Sequence, residues 1–136
     1  MSAPGPNVDR VPTPEQVTAA FRVYVDAWER RDRDALLACF TDDIVQVDPY
    51  PSPPNVGKAA VGAFFDQTTA MTEAMRFEVG RVIVAGDRGV FPFTVRSTVG
   101  GTDVEVDAVD VVTVDDAGLI SSITAYVDMA GMRTVA

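Results

Sequence analysis

The chain of 136 residues is predicted to fold as one α+β domain, with helices first and a β-sheet after them. Up to about residue 70, apolar residues recur at three- and four-residue spacing, which is typical of helices with one buried face. From Arg76 onward, long stretches alternate between apolar and polar residues and are separated by turns rich in glycine and aspartate. This pattern is typical of an antiparallel meander. We expect the sheet to curve over the helices and to enclose a conical, mostly apolar pocket.

The first helix is predicted to begin at Thr13. Thr13 can act as its N-cap, Pro14 fits the first helical position, and Gln16 completes a capping box. Tyr24 belongs to the buried face, and Trp28, which ends it, is interpreted as a core residue rather than a ligand contact. The buried face is formed by Val17, Ala20, Phe21, Tyr24, Val25 and Trp28.

Two further helices and five strands complete the predicted elements. The second helix spans Asp34 to Phe40 and is capped by Asp32, and a short strand over Ile44–Asp48 stops before a proline. A proline-rich loop over Pro49–Gly57 leads to the third helix, from Lys58 to about Ala70. The four long strands are Arg76–Ala85, Val90–Val99, Thr102–Val114 and Leu119–Asp128.

The composition argues against several function classes. A formal net charge of −9 disfavours binding to nucleic acid or to an anionic membrane surface. The absence of histidine removes Ser-His-Asp, Cys-His and His-based metal chemistry. Cys39 is the single cysteine and is expected to be a buried apolar residue. No disulfide within one chain is then possible, which fits a cytoplasmic protein.

Residues 1–12 are expected to form a flexible arm before a single domain over residues 13–136. They contain Pro, Gly and Asn but no basic segment followed by an apolar run, so we do not expect a signal peptide. No apolar run approaches the length of a membrane span.

Asp110 is the residue that departs from its strand pattern. Over residues 104–114, one alternating phase consists of valines and an alanine except for this aspartate. That phase is expected to face the core, where an isolated carboxylate is costly and tends to keep its proton. A neutral carboxylic acid in an apolar wall is a donor suited to an oxyanion. Two alternatives stay open: a bulge that turns Asp110 outward, and a core acid paired with a backbone amide.

Asp48 and Tyr24 are the other polar candidates. Asp48 ends a predicted strand before Pro49, which turn chemistry alone explains; the functional interpretation is a general base at the mouth of a pocket. Tyr24 is either a core tyrosine whose hydroxyl finds a partner or a phenol that points into a cavity.

These residues make the chain similar to the steroid Δ-isomerases, the ketosteroid isomerase family of the NTF2-like (SnoaL-like) superfamily. The spacing from Tyr24 to Asp48 fits that family without a gap, and Asp110 requires a single inserted residue. The set of three is the specific part, because many NTF2-like proteins share the remaining pattern. The similarity is carried by Thr13-Pro14-Glu15, Tyr24-Val25, Phe40-Thr41-Asp42-Asp43, Val47-Asp48-Pro49, Phe93-Thr94-Val95 and Asp110.

The resemblance implies a cone-shaped fold of three helices and a curved antiparallel sheet, a homodimer formed by the outer sheet face, and a hydrophobic steroid ligand. It implies no cofactor and no metal. Asp48 would be the general base, and Tyr24 with protonated Asp110 would form the oxyanion hole, an arrangement for which this family is the standard example. The residues implied to contact the substrate are Phe40, Phe65 and Phe93.

Two departures from the family pattern weaken the implied hydrogen-bond network. Phe65 stands where a further tyrosine supports the oxyanion-hole tyrosine, and Phe40 stands where some members have tyrosine.

The alternatives are a different NTF2-like enzyme, such as a polyketide cyclase, and a module that binds hydrophobic ligands without catalysis. An epoxide hydrolase of the limonene type is disfavoured because no clear Asp-Arg-Asp set is found. Arg96 lies on a predicted strand without an evident partner.

Overall fold

The computed structural model describes residues 11–135, so most of the predicted N-terminal arm lies outside the described residues. The helices are α1 (Pro14–Glu29), α2 (Arg33–Ala38) and α3 (Lys58–Met71). The strands are β1 (Phe40–Val47), β2 (Asn55–Val56), β3 (Ala74–Val79), β4 (Ile83–Ala85), β5 (Arg88–Val99), β6 (Thr102–Val114), β7 (Ile120–Val127) and β8 (Arg133–Val135). The predicted α+β class, with all three described helices preceding the long strands, is confirmed. None of these helices is long and apolar enough to cross a membrane.

The strands form one sheet in the order β2-β1-β7-β6-β5-β3, with β4 added to β5 and β8 added to β6. β5, β6 and β7 form the predicted meander of antiparallel neighbours. In contrast, β1 pairs in parallel with β7, so the sheet is mixed rather than wholly antiparallel. A parallel neighbour requires a long crossover, and here the chain between β1 and β7 supplies α3 and strands β2 to β6.

Helix α1 begins as predicted, because its start is set by local hydrogen bonds. The Thr13 N–H donates to Gln16 Oε1 at 2.8 Å, and the Gln16 N–H donates to Thr13 Oγ1 at 3.2 Å, which completes the capping box. The predicted apolar face is buried throughout. Phe21 stacks on Phe91 of β5 with ring centroids 4.0 Å apart, which joins α1 to the inner face of the sheet.

Helix α2 and strand β1 differ from the prediction at their junction. The helix ends at Ala38, and Phe40 already belongs to β1 rather than to the helix. The Ile120 N–H donates to the Cys39 carbonyl at 2.8 Å, and Phe40 pairs with Ile120. Pairing with a strand about 80 residues away therefore sets this boundary, which no local pattern indicates.

The predicted strand Arg76–Ala85 is two strands. β3 and β4 both pair with β5, but residues 80–82 between them leave the ladder. Pro92 of β5 lies opposite this interruption, and its carbonyl oxygen accepts a hydrogen bond from the Gly80 N–H at 2.7 Å. Because proline has no N–H to donate, it is tolerated where the regular ladder is broken.

Strand β6 has the alternation predicted for it. Val106, Ala108, Asp110, Val112 and Val114 are buried on the inner face, so the interpretation of Asp110 as turned outward by a bulge is wrong. The outer face instead carries ion pairs, including Arg96–Glu105 at 2.8 Å.

Candidate functional site

A cavity of about 150 Å³ lies between helices α1 and α3 and the inner face of the sheet. It brings together Tyr24 from α1, Asp48 from the end of β1 and Asp110 from β6. No lysine or arginine lines it. The lining residues are Tyr24, Trp28, Asp48, Phe64, Thr68, Met75, Phe77, Phe93, Val95, Val106, Ala108, Asp110, Ala125 and Val127.

Burial of the lining side chains increases toward one end of the cavity. Tyr24 and Asp110 have exposed fractions of only 3% and 2%. Thr68, Met75 and Phe77 are partly exposed and form the end of the cavity with more access to solvent. A ligand that enters between these apolar side chains would therefore place its leading polar atom beside the phenol and the buried carboxyl.

Asp110 is held at the centre of the sheet. It pairs with Phe91 on one side and with Ala125 on the other, and both neighbours are buried. Its Oδ1 atom has no hydrogen-bond partner among the described residues, which disfavours a core acid tied to an amide at that atom. Burial raises the pKa of Asp110 well above its ordinary value, and the charge of Asp48 raises it further. The raised pKa favours the protonated form of Asp110, in which the carboxyl group can donate a hydrogen bond.

Asp48 has the same side chain in a less enclosed position. It follows the last residue of β1 and is partly exposed. Burial raises the pKa of Asp48 to about 6, so roughly nine-tenths of it is ionised at pH 7, within the range suited to a general base. Asp110 is the more enclosed of the two carboxyl groups, and such a difference in environment is how one site can supply both a base and an acid.

Tyr24 lies in the middle of α1 with its ring enclosed by aromatic neighbours. Phe21 stacks at 5.6 Å and Phe40 meets it edge-on at 6.0 Å between ring centroids. Burial raises the pKa of Tyr24 well above its ordinary value, and the charges of Asp110 and Asp48 add to the effect, while Trp28 opposes it. The raised pKa favours the neutral phenol, which can donate a hydrogen bond.

The three phenylalanines expected to contact a substrate divide between the cavity lining and the layer behind it. Phe93 lines the cavity. Phe40 packs against Tyr24, and Phe65 packs against Trp28 with ring centroids 4.9 Å apart, and neither is among the lining residues. Phe64, the neighbour of Phe65 on α3, takes the lining position instead.

Trp28 is the lining residue that the sequence interpretation assigned to the core. It is 3% exposed, yet it borders the cavity beside Tyr24. The signal was its position four residues after Tyr24, since side chains at that spacing on a helix lie next to each other.

A second and larger groove, of about 520 Å³, lies on the outer side of the sheet around Thr94, Asp107, Val109 and Tyr126. It contains none of the three polar groups of the inner cavity. Size alone would favour this groove, but the shifted pKa values of Tyr24, Asp48 and Asp110 favour the inner cavity as the candidate site. No group of three or more acidic or cysteine side chains suited to hold a metal ion occurs within residues 11–135.

The chain is similar to known proteins over most of its length. The SnoaL-like domain family model matches residues 21–123, a span that includes all three polar candidates. RV0760c from Mycobacterium tuberculosis is 26% identical with a TM-score of 0.82, over 90% of this chain and 98% of that chain. The Delta 5-3-ketosteroid isomerase from Mycobacterium sp. is 27% identical with a TM-score of 0.79, over 88% and 98%.

A third structure shares the fold at lower identity. SalBIII, an epoxide hydrolase/cyclase-like enzyme of pyran ring formation in the polyether salinomycin, is 21% identical with a TM-score of 0.81, over 89% of this chain and 97% of that chain. At this identity the likeness concerns the fold.

Proposed function

The chain belongs to the SnoaL-like domain family, and from this we propose that it is a steroid Δ-isomerase, which converts 3-oxo-Δ5-steroids to 3-oxo-Δ4-steroids. The observation that carries the proposal is the meeting of three groups in one apolar cavity: an ionised carboxylate, a neutral carboxylic acid and a neutral phenol. A 27% identical solved structure that is itself a ketosteroid isomerase supports it.

The reaction is a proton transfer within one substrate. Asp48 takes a proton from C4, the electrons of that C–H bond form a dienolate, and negative charge collects on the C3 oxygen. Tyr24 and protonated Asp110 donate hydrogen bonds to this oxygen. Asp48 then returns the proton to C6, which leaves the double bond between C4 and C5. Nothing is oxidised or reduced overall.

The residue types are ones that lower the barrier to proton transfer next to a carbonyl group. A positioned general base contributes about 10²–10⁴-fold. One oxyanion-hole donor contributes about 3–4 kcal/mol, and it does so best where water is excluded. Tyr24 and Asp110 meet that condition, since both are almost completely buried.

The cavity volume restricts how a steroid is held. About 150 Å³ is less than the range of about 300–1,000 Å³ typical of small-molecule sites. In this proposal the ring that carries the carbonyl occupies the closed end, and the other rings extend past Thr68, Met75 and Phe77. Met75 is suited to make room, because an unbranched thioether side chain adapts its shape easily.

The test is the rise of enone absorbance when the purified protein is mixed with 5-androstene-3,17-dione. We expect turnover by the native protein and a nearly complete loss with Asp48→Asn, which keeps the shape of the side chain and removes its basicity. A native protein without turnover, or an Asp48→Asn variant of native activity, would contradict the proposal.

A polyketide cyclase-like reaction is the second candidate, and the small cavity favours it. The same base and acid would act on a smaller oxygenated substrate, with Asp48 deprotonating and Asp110 protonating. A limonene-type epoxide hydrolase is less compatible, because Arg96 points to the outer face and pairs with Glu105. Tight binding of a phenolic steroid without turnover would instead indicate a module that binds hydrophobic ligands.

The proposal includes a homodimer formed through the outer face of the sheet. This face carries the groove around Val109 and Tyr126, and Tyr126 is 45% exposed. Tyr50 lies beside it with ring centroids 5.3 Å apart and is itself 59% exposed. Two exposed aromatic side chains at one place are typical of a contact surface.

A further inference from the structure

The indole N–H of Trp28 is a buried donor without an acceptor. Trp28 is 3% exposed, and no atom of the described residues accepts a hydrogen bond from its Nε1. Buried polar groups are nearly always paired, so an unpaired one calls for an explanation. Trp28 also lines the cavity that holds Tyr24, Asp48 and Asp110, so the donor lies at the candidate site.

The position of the Trp28 ring is fixed by its neighbours. Phe65 packs against it with ring centroids 4.9 Å apart, and Phe64 meets it edge-on at 6.2 Å. Both belong to α3, and neither offers a polar atom. On the other side lies Tyr24, one helical turn earlier, with ring centroids 6.5 Å apart and planes at 76°. Tyr24 is thus the neighbouring side chain on the same helix that carries a polar group.

Tyr24 gains from a donor at its oxygen. In an oxyanion hole it donates a hydrogen bond to the ligand, so partial negative charge collects on the phenolic oxygen. An N–H directed at that oxygen stabilises the charge, and chains of hydrogen bonds strengthen one another. The Trp28 indole already lowers the pKa of Tyr24 against the larger effect of burial, although its N–H does not reach hydrogen-bonding geometry.

We propose that Trp28 is a positioning residue of the oxyanion hole, whose indole N–H donates to the Tyr24 hydroxyl oxygen when Tyr24 donates to a ligand. The inference rests on the proposed function for the role of Tyr24. Phe65 stands where the steroid Δ-isomerases have a tyrosine that supports the oxyanion-hole tyrosine, and it has no hydroxyl group. The inference assigns that supporting hydrogen bond to Trp28. The indole N–H is unpaired in the described structure, and catalytic hydrogen bonds are often completed only when a ligand is bound.

The kinetic test removes the N–H and keeps the ring. Replacing Trp28 with β-(3-benzothienyl)alanine exchanges the N–H for sulfur in a ring of nearly the same shape, and Trp28→Phe is a simpler second variant. We expect kcat for 5-androstene-3,17-dione to fall about 3- to 10-fold, the equivalent of one neutral hydrogen bond, with KM almost unchanged. A benzothienyl variant with native kcat would overturn the inference, whatever Trp28→Phe does.

The spectroscopic test does not require turnover. The chain has one tryptophan, so the ¹⁵N–¹H spectrum contains a single indole cross-peak. Saturation with 4-nitrophenol, used as an oxyanion probe, should move the indole proton downfield in the native protein but not in Tyr24→Phe. An indole proton that is unmoved by the bound probe, or that moves equally in Tyr24→Phe, would overturn the inference.

The two proposals fail in different ways. If 4-nitrophenol binds and moves the indole proton but no steroid is converted, the steroid isomerase proposal fails and Trp28 keeps its role toward Tyr24. If turnover is present and the indole proton does not respond, only the role of Trp28 fails. If no phenol binds at all, the oxyanion hole is absent and both fail.

Discussion

Asp48 and Asp110 show how position gives one side chain two chemical states. Asp110 sits at the centre of the sheet with apolar neighbours on both adjacent strands, and burial raises its pKa well above the ordinary value. Asp48 sits at a strand end with partial access to water, where burial raises the pKa only to about 6. Between these two values one group is ionised and the other is not.

Substitution of Asp110 should show whether its side chain acts as a hydrogen-bond donor or only packs in the cavity wall. Asp110→Asn keeps an N–H donor, whereas Asp110→Leu fills the site and donates nothing. We expect kcat of isomerisation to fall about 10²–10³-fold in Asp110→Leu, the effect of one lost oxyanion donor, and clearly less in Asp110→Asn. Equal losses measured by the enone assay would show that hydrogen-bond donation by Asp110 is unimportant.

The pH profile should report the ionisation of Asp48. Since the base acts in its ionised form and its pKa is about 6, kcat/KM should rise with pH and level off above about pH 7. The coupling between Asp48 and Asp110 makes the observed pKa a property of the pair. In Asp110→Asn the second ionisable group is absent, so the pH dependence of kcat/KM should show a single ionisation. A kcat/KM that stays constant down to pH 4 in the unsubstituted protein would argue against Asp48 as the base.

The neutral state of Asp110 should also appear in the stability of the protein. In the unfolded chain this carboxyl ionises at its ordinary pKa, whereas burial raises its pKa in the folded chain. As pH rises between the two values, only the unfolded chain gains from ionisation. The free energy of unfolding therefore falls over this range. Asp110→Asn removes this dependence. The quantity to measure is the urea midpoint of Asp110→Asn minus that of the unsubstituted protein. We expect this difference to be larger at pH 7 than at pH 4. An unchanged difference between the two pH values would contradict it.

At the scale of elements, the site depends on how closely α1 packs on the sheet. Gly89 at the start of β5 is buried, and a Cβ there would collide with the Phe91 ring and lie 2.9 Å from a methyl carbon of Val17. Phe91 in turn stacks on Phe21 of α1. The missing side chain at position 89 therefore allows the helix that carries Tyr24 to approach the strand.

Gly89→Ala should destabilise the fold by about 1–3 kcal/mol, the usual effect of overpacking a core. Gly80→Ala is the matched control, because its Cβ would make ordinary contacts with Pro92 at 3.5 Å or more. Urea unfolding of both variants provides the comparison. Equal midpoints for the two variants would show that the contact between α1 and β5 tolerates a methyl group.

The elements also differ in how well local patterns predict them. The start of α1 is predicted correctly, because the Thr13–Gln16 capping box is formed within four residues. The start of β1 at Phe40 and the break between β3 and β4 are not, because each is set by a distant strand. Helix capping is a local interaction, whereas strand boundaries follow from pairing.

At the scale of the whole molecule, the mixed sheet separates an inner face that lines the candidate site from an outer face that carries the groove around Val109 and Tyr126. The proposed dimer gives a test at this scale. Tyr126→Arg places a charge on the outer face, where the residue is 45% exposed, so it should weaken association at least about tenfold while the isolated fold stays intact. Analytical ultracentrifugation over a concentration series measures this, with circular dichroism as the control. A native protein that sediments as a monomer at every concentration would contradict the dimer.

Local chemistry was enough to predict the α+β order, the buried face of α1 and the inward direction of Asp110, because periodicity and capping act over a few residues. The candidate set of Tyr24, Asp48 and Asp110 was recognised in the chain through its resemblance to the steroid Δ-isomerases, whose spacing it fits. Their meeting in one cavity, the lining role of Trp28 and the parallel pairing of β1 with β7 depended on the folded chain. These features come from contacts between segments far apart in sequence, and burial there is what separates the charge states of two identical carboxyl groups.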